Sequence, residues 1–272
     1  MVFTREFNHN FGKMIAWFLV LVILTGLLMA LYPMMLDENM KSLFDSFVGQ
    51  LSPSLQKVLG FDRKVDYANI SEYTAFIHQY IVVLTCIFAM QLGANSLSRD
   101  LDDGSIQYIY SNPIERSEII TQKFLANIIT YVILLLLMAV VTFFIILLPP
   151  LAEGLVNNVL IVDLGKIFLG LLLSGLVFMS VGMFFSSLSK STNFTDGTSV
   201  LFVIFIVVFI IFGKIYGGTI LDIADTLPLE VFNPIEFLAG NIDIVKIGIN
   251  FLAFIIFILL TYLIYNSKDL DY

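Results

Sequence analysis

The chain is poor in charge, in cysteine and in histidine. Only 13% of its 272 residues are Asp, Glu, Lys or Arg, about half of the ~25% usual in a soluble domain. Too few polar groups are present to face water, which excludes an ordinary soluble protein. The net charge of −8 also excludes the basic surfaces that hold nucleic acid or anchor a chain to anionic lipid headgroups. A single cysteine, Cys86, rules out an internal disulfide, and its place within an apolar run marks it as a small buried side chain. Two histidines, His9 and His78, with no His-Glu-x-x-His run and no cysteine cluster, point to no metal site. No acid–base or nucleophile pair is placed to support catalysis, so no catalytic residue is expected. Also missing is a Gly-x-x-x-x-Gly-Lys-Ser/Thr run. Ser189-Lys190-Ser191-Thr192 lacks the glycine loop that would cradle phosphates, so this chain cannot hydrolyse ATP by that chemistry.

What is abundant is apolar sequence: 58% of the residues, with a mean hydropathy of +0.93. It falls in runs of roughly 20 residues, each able to cross a hydrocarbon core as a helix. The runs show no two-residue alternation, which favours helices over a barrel. The expected fold is an all-α integral membrane protein, a single transmembrane domain over residues 1–272. Six spans are predicted at about 14–35, 73–95, 124–148, 167–188, 198–216 and 247–265. The first run is too long for a signal-peptide core and lacks a small-residue cleavage site, so it counts as a span. Residues 1–13 form a polar lead before it. Six spans put both ends on one side, but Lys and Arg split seven and seven between the two sides, so charge does not orient the chain.

Two long segments, 36–72 and 217–246, lie on the other side. Met40, Leu43, Phe44, Phe47 and Val48 follow the spacing of an amphipathic helix. Ser52-Pro53 supplies an N-cap with proline at the first helical position, and Gly60 can end that helix. Short helices lying against the membrane fit this pattern, either as a plain cover or with a part in substrate exit. The second span holds His78, Gln79, Gln91 and Asn95. Gln91 and Asn95, one turn apart, either line a translocation path or bond one helix to another. His78 is expected at the membrane interface. Gly170 and Ser174, then Gly182 and Ser186, are small residues four apart in the fourth span, a spacing that lets helix backbones approach closely.

Between spans two and three lies a polar island, Ser98 to Lys123. It carries Arg99, Arg116 and Lys123 against Asp100, Asp102, Asp103, Glu115 and Glu118. Ile106, Ile109 and Tyr110 make one apolar face of a short helix after Gly104. Asn112-Pro113-Ile114-Glu115 then reads as the start of a second helix: Asn as cap, Pro first, Glu reaching back. Two helices at such an elbow form either a rigid docking protrusion or an ordinary capped connector. The same Asn-Pro-Ile-Glu run recurs at Asn233–Glu236, so capping alone does not choose.

The run Asp102-Asp103-Gly104-Ser105-Ile106, the block from Ser111 through Asn112-Pro113-Ile114-Glu115-Arg116 to Ile120, and Lys123 resemble the pattern of type-2, export-type ABC transporter permeases. Asp stands where Glu is common and Ser105 where Thr is common, and both swaps keep the chemistry. The resemblance implies a plasma-membrane permease with cytosolic termini and a coupling helix between spans two and three. Asp102, Asp103, Gly104, Ser105, Ile106, Pro113, Ile114, Arg116 and Lys123 would then belong to the segment that docks on a separate ABC ATP-binding subunit, in two copies. ATP and Mg would be bound by that partner and no cofactor by this chain. A second permease chain, identical or a sister, would face the first, and alternating access would move a hydrophobic or amphipathic substrate out of the cell. Contact with membrane lipid is expected and contact with nucleic acid is not. The competing reading, a secondary transporter or channel without an ATPase, would need charged groups inside its spans, and no carboxylate sits clearly within one.

Overall fold

With no water in the hydrocarbon core, a backbone must satisfy its own hydrogen bonds, and the apolar runs do so as helices. A computed structural model describes residues 2–104, 114–148 and 157–268. Six of its helices are long and apolar enough to cross a membrane, and there are no strands among the described residues. In chain order the helices are α1 (Val2–Met29), α2 (Tyr32–Leu36), α3 (Glu38–Gln50), α4 (Pro53–Val58) and α5 (Ile70–Asp102). Then follow α6 (Arg116–Ile146), α7 (Asn157–Leu188), α8 (Thr192–Tyr216), α9 (Gly218–Ala224), α10 (Pro228–Val231), α11 (Pro234–Ala239) and α12 (Ile244–Ser267). The long helices α1, α5, α6, α7, α8 and α12 are the spans of a multi-pass, all-α membrane protein.

α5 and α7 form the buried centre, and α1, α6, α8 and α12 surround them with their outer faces exposed. The central pair meets backbone to backbone. Gly93 of α5 lies against Met179 and Met183 of α7, and Gly182 of α7 lies against Met90 and Ala94 of α5. A Cβ added at either glycine would stand 2.2 Å from a carbonyl oxygen. One turn beyond Gly182, Ser186 Oγ accepts hydrogen bonds from the Leu97 and Ser98 N–H groups at 2.8 and 2.9 Å. The other small pair of α7 serves a different neighbour. Gly170 faces the Phe232 carbonyl, and Ser174 Oγ donates to the Pro228 carbonyl at 3.2 Å, which seats α10 and its flanks on α7.

On the side opposite Val2 and Ser267, the two non-spanning segments make a cap. α3 and α4 form at the amphipathic repeats, with Asp37 and Ser52 as N-caps, Pro53 at the start of α4 and Gly60 at φ +73° just past its end. Met40, Leu43 and Phe47 are exposed, whereas Phe44 turns inward onto Phe61, which stacks on Phe76 of α5, and onto Tyr67, which meets Phe76 edge-on. Tyr73 donates to the Leu28 carbonyl and Tyr32 to the Ala68 carbonyl, so the far end of α1 is stitched to this cap.

Three expectations change. The supposed polar lead is helical from Val2 onward, because Glu6 and Asn10 turn inward with Met14 and are buried. His78, expected at the membrane interface, faces the helix bundle and not lipid or water. It is buried in the bundle against Phe168 of α7, with Nδ1 on the Thr74 carbonyl. The helix after the polar island starts later than Asn112-Pro113 would place it.

Candidate functional site

The polar island rises from the end of α5. That helix stops at Asp102 because Asp103, its C-cap, gives its N–H to the Arg99 carbonyl, and Gly104 turns left-handed at φ +71°. Glycine makes that turn without steric cost. Ser105, Ile106 and Pro113, together with the expected short helix at 106–110 and the Asn112 cap, lie outside the described residues. The chain re-enters at Ile114 and Glu115, which are not helical. Glu115 is the N-cap of α6 through its backbone alone, its carbonyl receiving the Glu118 and Ile119 N–H groups without a side-chain cap. Ile114 packs on Val2 and Ile119. The helix that Asn112-Pro113 was expected to open therefore begins at Arg116, after the would-be N3 glutamate has become the cap itself.

Both roots of the island are clamped to neighbouring helix ends. At the α5 root, the Asp102 carboxylate accepts from the backbone N–H (3.1 Å) and hydroxyl of Thr192, the first residue of α8. At the α6 root, Arg116 Nη1 donates to the Tyr265, Asn266 and Lys268 carbonyls at 3.4, 3.2 and 2.7 Å. These are the carbonyls that the last turn of a helix leaves without partners. Lys268 in turn donates to Ser187 and Ser189 at the end of α7, at 3.0 and 2.8 Å. Burial, with Lys190 nearby, holds the Lys268 ammonium pKa below its ordinary value.

Lys123 does not face outward at all. It is 1% exposed, and its Nζ donates to the Ser96 carbonyl and pairs with Asp100 and, at 3.3 Å, with Glu6. Arg99 also pairs with Glu6, and Arg5 with Asp100 at 2.6 Å. One turn deeper, Asn10 donates to Asn127 at 2.8 Å, and Asn127 donates to the Leu92 carbonyl at 3.0 Å. Three cations and two carboxylates thus join α1, α5 and α6 directly beneath the island. Removing one partner of such a buried pair typically costs about 3–5 kcal/mol, because the other is left uncompensated. Sequence reasoning missed Glu6, Arg99 and Asp100 in this role. A signal was available in Val2, Glu6, Asn10 and Met14, which repeat every fourth residue and so share one helix face.

Of the candidate path pair Gln91 and Asn95, Asn95 is bonded helix to helix. It donates to Asp196 at 2.5 Å and accepts from Thr195 at 3.1 Å, both on α8. Gln91 is half-buried on α5 one turn away. An apolar groove of about 630 Å³ runs between α6 and α7, lined by Leu136, Val140, Phe143, Ile161, Phe168 and Leu172 among others. On the cap side, Arg63 pairs with Glu230 and Glu236, and Lys214 with Glu230, around a polar chamber of about 270 Å³ that also reaches Asp225 and Lys246.

A family model described as ABC-2 family transporter protein matches residues 2–270. No curated protein matches the chain.

Proposed function

Since the chain belongs to the ABC-2 transporter family, whose members are membrane permeases rather than enzymes, we propose that it is the membrane subunit of an ATP-driven exporter. In this reading the segment between α5 and α6 docks on a separate ABC ATP-binding subunit, present in two copies and carrying ATP and Mg. The termini face the cytosol, and a second permease chain, a copy or a sister, completes the pore. Alternating access then moves a hydrophobic or amphipathic cargo outward. The apolar groove between α6 and α7 offers a surface for such a cargo.

One observation carries the reading: the two roots of the island are tied by polar contacts to the ends of α1, α7, α8 and α12. A force-transmitting contact has to be stiff at its base, or the displacement of the partner is absorbed there. An idle connector has no such requirement. Within the docking set, Asp102 and Arg116 act as inward clamps and Lys123 as a buried anchor. Of the described residues, the exposed Asp103, Gly104 and Glu115 are left to face the partner, and Ser105, Ile106, Pro113 and Ile114 complete the docking set by their place in the sequence. The buried carboxylates Glu6 and Asp100 do not favour ion-coupled transport, since cations hold both.

Affinity purification of the chain from its native membrane should bring an ATP-binding subunit with it. Pro113→Gly and Glu115→Lys should each reduce that recovery while membrane insertion stays at the wild-type level. Recovery of the chain without any ATP-binding partner, with transport intact, would overturn the reading.

A further inference from the structure

We propose that the buried charge network around Lys123 is the joint through which displacement of the docking segment is handed to α1, with Glu6 and Lys123 as its positioning residues. The proposal rests on the docking reading above, and names the element that the docked subunit would move.

The geometry of α1 leads to this. Along most of its length α1 touches the bundle by a narrow seam of Met14, Leu21, Thr25 and Met29, while Ile15, Leu19, Ile23 and Leu27 are exposed. An apolar seam between helices in lipid has little to hold its register, since lipid tails are as apolar as the partner. The end near the docking segment differs. There Glu6 meets Lys123, and four residues further along both helices Asn10 meets Asn127. These are two polar rungs one turn apart between helices running in the same direction. A rung of this kind cannot slide by a fraction of its length without leaving a desolvated charge or amide unpaired. It therefore carries a push or a pull where the apolar seam would slip.

Lys123 stands about two turns after Arg116, where α6 leaves the docking segment, so the first turns of α6 and the network move as one body. At the other end of α1, roughly 33 Å from Glu6 at ~1.5 Å per residue, the Leu28 carbonyl accepts from Tyr73, and Tyr32 donates to the Ala68 carbonyl of the cap. The network also holds α5 through Arg99, Asp100 and the Ser96 carbonyl, so a shift of α1 imposed at Glu6 would reach that side with the α5–α7 pair, close-packed at Gly93 and Gly182, carried along as one unit.

The test uses the complete transporter, permease with its ATP-binding subunit, in lipid vesicles. A Leu31→Cys substitution reports on the far end of α1, where Leu31 is exposed, and the native Cys86 is buried. The probe is a water-soluble maleimide, applied with and without ATP and vanadate. Nucleotide should change the labelling rate at position 31. Glu6→Gln should abolish that change, reducing the nucleotide effect by about tenfold or more, with subunit stoichiometry and ATP hydrolysis retained. Glu6→Asp keeps the charge but shortens its reach, so it should insert normally and show an intermediate loss. It decides the matter if Glu6→Gln fails to insert. A wild-type nucleotide response in an inserted Glu6 variant overturns the proposal. So does a position 31 that never responds while hydrolysis proceeds. If no ATP-binding subunit accompanies the Leu31→Cys chain at all, it is the docking reading that has failed.

Discussion

Lys123 shows how far a residue's role depends on what surrounds it. In the sequence it closes a polar island and reads as part of a water-facing surface. In the fold it points into the bundle, between Glu6 and Asp100, which the chain brings from about 117 and 23 residues away. Asp225 is the reverse case. It lies in the chamber beside Arg63, and burial, with the Glu230 carboxylate nearby, pushes its pKa above the ordinary carboxylate value despite Lys246, Lys214 and Arg63. Its place as the C-cap of α9, at the negative end of that helix dipole, adds to the cost. A carboxyl whose folded pKa is raised weakens the fold once pH climbs through the unfolded value toward the folded one, and the loss is complete above it. Asp225→Asn should therefore raise the thermal midpoint of the detergent-solubilised protein at neutral pH. The gain should vanish in acid below the unfolded carboxylate pKa, where both states are protonated. A midpoint unchanged at pH 7 would count against this account of Asp225.

Among the elements, the two copies of Asn-Pro-Ile-Glu are instructive. At Asn233–Glu236 the run does what capping chemistry predicts. Asn233 accepts from the Ile235 N–H at 3.0 Å, Pro234 opens α11, and Gly240 closes it at φ +76°. At Ile114-Glu115 the same residue types are not helical, and α6 starts after them. The first copy is buried, with Asn233 and Pro234 held close to α7, whereas Ile114 is pulled aside onto Val2 and Ile119. Local chemistry proposes a helix start, and packing accepts or moves it. The α5–α7 contact follows the same division. Small residues four apart were legible in α7, but their partners Gly93 and the Leu97–Ser98 backbone were not. Gly182→Val would drive a side chain into the Met90 carbonyl, which no rotamer can avoid. We expect a loss of about 3 kcal/mol, read as a fall in thermal midpoint and in folded yield. Gly165→Val, at a glycine with open space around it, should leave both near wild type.

At the scale of the molecule, the chain is a permease of ABC type with a polar belt at each end and an apolar body between. The belt near the termini ties helix ends to the roots of the polar island. The belt on the other side ties the segment carrying Arg63 to the one carrying Glu230 and Glu236. Arg63→Ala removes all three of its contacts, those to both glutamates and to Gln79, and leaves Glu230 to Lys214. Hydrogen exchange of residues 51–69 and 218–243 should then rise together while the spans stay protected. Faster exchange in only one of the two segments would mean that Arg63 is not their link.

Much of this was decided by composition and spacing before any fold was known. Six apolar runs of bilayer length dictate six helices, since lipid leaves the backbone no other partner. The caps at Ser52 and Asn233 follow from local hydrogen bonding, and the family pattern of the polar island is legible as a string of residues. What only the tertiary structure decided is which charges are buried and with whom. Glu6, Arg99, Asp100 and Lys123 are scattered along the chain, and pairing depends on helix rotation and register that no local rule sets. The same holds for Gly93 beside Gly182 and for His78, which a position in the span could not tell apart from an interfacial ring. Contacts between residues distant in sequence are fixed by how whole helices settle against one another, and in this protein those contacts make the charge network beneath the polar island.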